Sequence, residues 1–505
     1  MLLNFNGDDL NLLKKKGIKI EEILRQISLF KSGVPPVKIV EPATIANGGI
    51  KTFSGNELQH YIQIYNNIKR SKVVYKFTPA SGAATRMFKK LYAFLSADET
   101  EPSDDEVRML FAEGEKLAFW QEWNDACKHL YNQDIKALVA RGEYTNVIKA
   151  LLFPEGLNYG SLPKALIKFH KYSDRSRTSM EEHLVEGMRY AVGADDVLEL
   201  HFTVSPEHKQ LFEDHAQKLI KLYKDYELMV HFSFSIQDPA TDTIAVTPDN
   251  EPFRKEDGSL LFRPGGHGTL IYNLNNLEAD FIFVKNIDNV APDRLKPDTE
   301  KYFQALAGYL YTLKSKIDAY MDLLDIGPTE KDLEDIYSFI YNVLNIRIKK
   351  QFASVAEKIE FAKEIFNRPL RVAGMVKNLG QEGGGPFLVE YDDYISPQIV
   401  EKAQIDLNNP LNVSLLKKST HFNPSFMVLS VKDYQGKKFD LLNYVDHNAS
   451  FITTKTYQGR PIKALERPGL WNGAMAFWNT VFVEVPLTVF NPVKTVFDLL
   501  KPNHQ

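Results

Sequence analysis

Along the 505 residues the apolar positions change their spacing several times, and each change marks an expected element. Residues 7–32 and 55–70 repeat apolar positions at helical spacing, which predicts amphipathic helices. Between them, the Pro- and Gly-containing stretch Val34 to Gly49 reads as a loop draped over something else. Val73-Val74-Tyr75-Lys76-Phe77 is a β-branched and aromatic run that stops at Thr78-Pro79. Small residues follow, Ala80 to Ala84, and then a helix-like Met87-Phe88-Lys89-Lys90-Leu91-Tyr92. Strand, small-residue loop, helix is the opening of a nucleotide-binding α/β unit. Helical periods return over 95–155, with Val107, Leu110, Phe111, Leu117 and Ala118 on one face; Gly114 falls on the same face and weakens it. Strand and helix alternate again from Leu166-Ile167-Lys168-Phe169 through Leu198 to Val204, a helix to residue 224, Leu228 to Ile236, and Phe281 to Val284. Residues 300–365 are helical in period, with Tyr309, Leu313, Ile317 and Tyr320 on one face. The remainder, 370–505, mixes short strands with loops rich in Gly, Pro and Asn.

This pattern predicts an α/β protein whose mixed sheet is flanked by helices, with two helical insertions and an α+β C-terminal part. The expected division is an N-terminal helical region 1–70, a core over 71–300 carrying an insertion at 94–160, a second insertion at 301–366, and a part over 367–505 that completes the core. Composition adds little beyond an ordinary globular chain, 44% apolar and 25% charged. One cysteine, Cys127, excludes an intrachain disulfide and fits a reducing compartment; within an amphipathic helix it reads as structural. Met1 to Phe30 intersperses charges among its apolar residues, unlike a signal peptide, and no run of 18 apolar residues occurs to span a membrane. A net charge of -4 gives no reason to expect nucleic acid. A cytoplasmic protein without membrane or nucleic-acid partners is expected, its oligomeric state left open.

Several segments carry candidate chemistry. In Pro79-Ala80-Ser81-Gly82-Ala83-Ala84-Thr85-Arg86-Met87 the absence of large side chains lets backbone N–H groups approach an anion, and Arg86 adds a planar permanent charge. The Gly-Lys-Ser/Thr ending of a P-loop is missing, so a tight strand-to-helix turn is the competing reading. Lys164, in Ser161-Leu162-Pro163-Lys164, is open to two readings, a snorkelling residue or a phosphate contact. Pro264-Gly265-Gly266-His267-Gly268 has the makeup of a ligand-hugging loop. Asp288 follows the apolar run Phe281 to Val284 at its carboxyl end, where open α/β sheets bind ligands and where a carboxylate suits Mg²⁺. Glu382-Gly383-Gly384-Gly385-Pro386-Phe387 is a wide turn or a close backbone approach. Lys494, in an apolar stretch, is an exposed charge or a buried phosphate contact. His183 and Glu186, three apart without a second His, read as a surface face, and no Ser-His-Asp elbow occurs.

In order and identity these segments resemble the UDP-sugar pyrophosphorylases, enzymes of a GT-A-like nucleotidyltransferase fold. Ser81-Gly82-Ala83-Ala84-Thr85-Arg86-Met87 is similar to the first half of their Gly-Gly-x-Gly-Thr-Arg signature, and Pro163-Lys164 to its second half, displaced by the first insertion. Gln237 and Pro239 resemble the loop that reads the uracil edge, Pro264 to Gly268 the Pro-Pro-Gly-His-Gly loop, and Asn286-Ile287-Asp288-Asn289 the metal-binding tetrad. Leu465-Glu466, Pro492-Val493-Lys494-Thr495 and Asp498-Leu499-Leu500 resemble the family's closing elements. The likeness spans about residues 73–500 and is nearest to an uncharacterised bacterial family, a domain of unknown function, related to those enzymes. Ser81 and Ala84 depart from it, standing where the signature has glycines. The resemblance implies a nucleoside triphosphate, UTP favoured, and a sugar 1-phosphate as substrates, with Mg²⁺ as cofactor. It assigns Arg86, Lys164 and Lys494 to catalysis and Asp288 to the metal. Ser81, Gly82, Gln237, Gly265, Gly266 and His267 would contact the nucleotide, and Asn423 and Glu466 the sugar. A glycosyltransferase of this fold would want Asp-x-Asp where Asn286-Ile287-Asp288-Asn289 stands; a non-catalytic nucleotide-sugar binder is the other alternative.

Overall fold

The computed structural model describes residues 5–82, 84–97, 99–381 and 383–505. Ala83 of the small-residue loop and Glu382 of the glycine turn therefore lie outside the described residues. The chain divides into two compact units, each assembled from separate stretches. One comprises Met1–Asn66, Gln237–Ile282 and Ala305–Val485; the other comprises Asn67–Ile236, Phe283–Gln304 and Pro486–Gln505.

In the second unit, Val74–Pro79, Val197–Val204 and Met229–Ile236 run parallel, with Tyr75 opposite Glu199 and Val197 opposite Met229. Parallel strands need crossovers, and the helices Ser179–Tyr190 and Lys209–Leu222 precede the second and third strands. Gly187 lets the first of these helices lie close to Val197–Val204: a Cβ there would stand 3.1 Å from Leu198 and Leu200 side-chain carbons. The helical period over 95–155 resolves into Asp105–Glu113, Trp120–Tyr131, Ile135–Ala140 and Tyr144–Leu152. The face running from Val107 to Ala118 is broken at Gly114, where a Cβ would meet Trp120 Cζ3 at 2.7 Å, so the helix ends at Glu113. Leu110, Trp123, Cys127, Val147 and Leu151 of this segment share one buried core with Phe88 and Leu91, and with Val493, Val496, Phe497 and Leu500. Leu166-Ile167-Lys168-Phe169 does not continue the parallel alternation. Lys168–Lys171 pairs antiparallel with Ser176–Thr178 as a hairpin.

The first unit is also mixed. Leu370–Lys377 runs parallel to Asn479–Glu484 and antiparallel to Met427–Ser430 and His421–Phe422. The predicted N-terminal helices are present as Gly7–Lys16, Ile20–Ser32 and Gly55–Ile68, the first opened by a reciprocal Asn6–Asp9 capping box. The expected loop Val34 to Gly49 contains a strand: Ile39–Pro42 pairs with Gly385–Glu390, which gives its Pro-flanked backbone a partner. Over 301–366 lie all but the first turn or so of the helix Lys296–Ile326, then Glu330–Asn342 and Val355–Phe366. A two-residue strand, Arg347–Ile348, separates the last two and pairs with Tyr394–Val400. No helix among the described residues is long and apolar enough to cross a membrane.

Candidate functional site

The strand Val74–Pro79 delivers the small-residue loop to a junction of four distant stretches of the second unit. Ala80 N–H donates to Thr203 O at 2.9 Å, and Ala84 N–H to Leu162 O at 3.2 Å. Met87 O accepts from Val496 N–H at 3.1 Å, and Pro79 O from Ile287 N–H at 3.3 Å. Val493 N–H donates to Asp288 O at 2.9 Å, and Asn491 N–H to Asn289 Oδ1 at 2.8 Å. Backbone bonds thus hold residues 79–87, 161–164, 286–289 and 491–496 to one another. Ser81, Gly82, Thr85 and Arg86 are exposed on this junction, whereas Ala84 is buried. Ala84 opens a short 3-10 turn, Ala84–Arg86.

Asp288, only 8% exposed, sits at the centre. Its Oδ2 accepts from Lys164 Nζ at 2.9 Å and from Lys494 Nζ at 3.1 Å, and Lys164 Nζ also donates to Val493 O at 2.8 Å. Burial on its own would raise the Asp288 carboxyl. Lys164 and then Lys494 outweigh burial and hold it below the ordinary 3.8. Lys164 is therefore no snorkelling residue: its ammonium turns inward, with its side chain 12% exposed. Of the two readings of Lys494 the structure has the exposed one, not the buried: its side chain is 62% exposed. Val493 and Val496 take the inward positions of this strap, which leaves Lys494 outside to reach over the carboxylate. Two ammonium groups on one carboxylate oxygen, with Arg86 exposed on the adjoining loop, make a junction with surplus positive charge suited to a polyanion.

The other predicted residues belong to the first unit. Gly265 and Gly268 allow their loop to lie directly on residues 466–469: a Cβ at Gly268 would stand 2.0 Å from Pro468 O, and one at Gly265 would stand 2.7 Å from Thr241 O. Gly266 has φ +80° and faces Glu466, whose carboxylate accepts from Lys455 Nζ at 2.9 Å. Gln237 is half-buried beside Thr241. Asn423 spends its amide on the backbone, donating to Gly374 O at 2.8 Å and accepting from Ser425 N–H at 3.0 Å. It shapes the turn beside the glycine run, and its own N–H donates to Gly384 O at 2.9 Å.

His267 accepts from Leu470 N–H at Nδ1 and lies over the Trp471 ring, with centroids 4.7 Å apart. That leaves Nε2 toward Glu401, 3.6 Å away, a residue that sequence reasoning missed. Burial would raise the Glu401 carboxyl, but His267 and the Asn472 amide hold it below its ordinary value. Glu401 also lines a cavity of about 790 Å³ with Gly383, Gly385, Phe387, His421 and Phe422. Gly383, Gly385 and Phe387 belong to the glycine turn singled out in the sequence, but nothing near Glu401 in sequence marks it as a site residue.

The model of the family described as "Domain of unknown function (DUF4301)" matches residues 6–505. No curated protein matches the chain. Among solved structures the chain is similar to UDP-glucose phosphorylase from Trypanosoma brucei, with 13% identity, 97% of this chain and 77% of that chain covered, and a TM-score of 0.45. It is also similar to UDP-glucose pyrophosphorylase from Leishmania major, solved in open and closed forms, with 11% identity, the same 97% and 77% coverage, and a TM-score of 0.43.

Proposed function

The chain belongs to the DUF4301 family, and we propose that it is a nucleotidyltransferase of GT-A-like fold that joins a sugar 1-phosphate to a nucleoside triphosphate, UTP favoured, and releases diphosphate. The observation that carries this reading is the convergence of Lys164 and Lys494 on one oxygen of Asp288. A motif resemblance supplies residues of the right kind, but a shared carboxylate between residues so far apart in the chain is an independent geometric fact.

In the proposed reaction a phosphate oxygen of the sugar 1-phosphate attacks the α-phosphorus in line. The bond from that phosphorus to the oxygen bridging toward the β-phosphorus breaks, and diphosphate leaves with that oxygen. Such chemistry asks the protein for positioning and charge neutralisation rather than for a covalent intermediate. Lys164 and Lys494 neutralise the phosphates on either side of the reacting phosphorus. Arg86 and the open backbone at Ser81 and Gly82 take the outer phosphates. By the resemblance, Gln237, Gly265, Gly266 and His267 would contact the nucleotide, and Asn423 and Glu466 the sugar.

Mg²⁺ fits the donor set at Asp288. Among the described residues both lysines reach Oδ2, which leaves Oδ1 for another partner. Among the described residues no group of three or more His, Cys, Asp or Glu side chains could cage a metal. A single carboxylate matches an ion that keeps waters and shares its sphere with substrate phosphates. When bound, Mg²⁺ supplies Lewis-acid polarisation and a template for those phosphates.

The test is a screen of the four nucleoside triphosphates against sugar 1-phosphates with MgCl₂, read by diphosphate release. Release that needs both substrates is expected. Binding of a nucleotide sugar with no release from any pair would replace catalysis by the non-catalytic reading.

A further inference from the structure

His183 and Glu186, expected on a surface, are both fully buried on the helix Ser179–Tyr190. Glu186 is shared by two equally buried lysines. Lys285 Nζ donates to its carboxylate at 2.8 and 3.1 Å, and Lys76 Nζ at 3.2 Å. Lys76 also donates to the His183 carbonyl at 2.8 Å. One lysine stands on the strand that opens the small-residue loop and the other just past Phe281–Val284, so both are pinned to this helix. The same helix reaches the tetrad that contains Asp288: Ser179 Oγ donates to the Ile287 carbonyl, and His183 Nε2 lies 3.2 Å from that oxygen. His183 Nδ1 finds no hydrogen-bond partner among the described residues, so Nε2 carries the proton and donates.

These contacts fix a direction. The Ile287 carbonyl and the Asp288 N–H belong to one rigid peptide plane, so two donors on that oxygen set the orientation of the bond entering Asp288 Cα. The Asp288 carbonyl is held in turn by Val493 N–H at 2.9 Å, which sets the plane leaving it. Both planes flanking the carboxylate are thus clamped from buried elements. Packing alone does not call for this arrangement, because apolar residues of similar volume fill a core at least as well as shared charges and a half-satisfied imidazole.

We propose that Ser179 and His183 are positioning residues for Asp288, gripping the Ile287 carbonyl, and that Lys76, Glu186 and Lys285 anchor the helix that carries them. The inference rests on the nucleotidyltransferase reading, in which Asp288 meets the metal–triphosphate.

The experiment is calorimetric titration of the full chain with UTP, and with ATP, GTP and CTP in its place, once in MgCl₂ and once in EDTA. The quantity read is the gain in affinity that magnesium brings, with no turnover required. Supporting partners of a metal ligand are worth about 10–100-fold in metal affinity. His183→Leu and Ser179→Ala should each lose a factor in that range while binding in EDTA stays unchanged. His183→Gln, whose amide N–H stands near the position of Nε2, should recover most of the loss. If His183→Leu fails to fold, Ser179→Ala against wild type decides. A wild-type gain retained in His183→Leu or Ser179→Ala overturns the positioning role alone, as does a His183→Gln that behaves like His183→Leu. A wild type that gains nothing from magnesium with any of the four nucleotides takes down the nucleotidyltransferase reading as well.

Discussion

Replacing Lys164 by Met separates the two ammonium groups that share Asp288. Lys164 Nζ makes two hydrogen bonds in a nearly dry setting, 2.9 Å to Asp288 and 2.8 Å to Val493 O. A hydrogen bond to a charged group contributes roughly 1.5–3 kcal/mol. The variant keeps Lys494 on the carboxylate and sheds the desolvation cost of its own ammonium, so the net loss should be about 2–3 kcal/mol, less than the ~3–5 kcal/mol for a buried ion stripped of every partner. At about 2–4 °C per kcal/mol for a unit of this size, Tm should fall by roughly 5–10 °C. Lys494→Met removes a mostly exposed partner worth below about 1 kcal/mol, and its contribution should vanish in high salt while that of Lys164 persists. Melting curves of both variants, alone and combined with Asp288→Asn, close a double-mutant cycle. The coupling of Lys164 to Asp288 should be about 1–3 kcal/mol. A Lys164→Met protein that melts like wild type, or a cost unchanged when Asp288 is already Asn, would refute the assignment of Lys164 as the inner partner.

Four further outcomes follow from the structure. Asp288→Asn should abolish diphosphate release, because an amide is a poor Mg²⁺ ligand; turnover at the wild-type rate would remove the metal assignment. Since the folded Asp288 carboxyl titrates below the ordinary 3.8, its stabilisation is complete above that pH and lost as pH falls further. The stability gap to Asp288→Asn, followed by urea unfolding, should therefore narrow below pH 3.8. Lys494→Met should lower kcat/KM by about 1–2 kcal/mol, roughly tenfold, less than the ~2–4 kcal/mol of an enclosed donor because water screens it; a loss above a thousandfold would contradict the exposed position. Burial brings the Lys76 ammonium from 10.5 down to about 7. Between those values the unfolded chain binds more protons, so stability contributed by this group is full above 10.5 and drains away as pH falls through 7. Urea unfolding at several pH values should show wild-type stability rising with pH more steeply than that of Lys76→Met, and parallel slopes would refute this.

Period and strand propensity made much of the fold legible. Val197–Val204, Met229–Ile236 and Phe281–Val284 stand within a residue of the runs read from the sequence. What escaped is physically of one kind. Ile39–Pro42 was hidden because an edge partner, not propensity, makes a Pro-flanked segment a strand. Lys168–Lys171 looked like one more parallel strand because register is a tertiary property. His183 and Glu186 looked solvent-facing because a helical period assigns charge to water, and the lysines that neutralise Glu186 lie over 90 residues away on either side. In the candidate site, motif resemblance supplied Lys164, Asp288 and Lys494, whereas Glu401 became visible only when the fold set it beside His267.

The interleaving of the second unit has a consequence for how the chain is made. Its strand Val74–Pro79 leaves the ribosome early, yet the stretch that carries Lys494 and lends Val493, Val496 and Phe497 to the shared core is synthesised only after residues 305–485. Until then the nascent chain holds the small-residue loop, Lys164 and Asp288 without the strap that closes them, and part of an apolar surface stands open. Contacts between residues so distant in sequence are also slow to form. An unfinished chain is thus kept from presenting the completed Lys164–Asp288–Lys494 junction, and folding of this unit is tied to residues 486–505 rather than to its earlier strands.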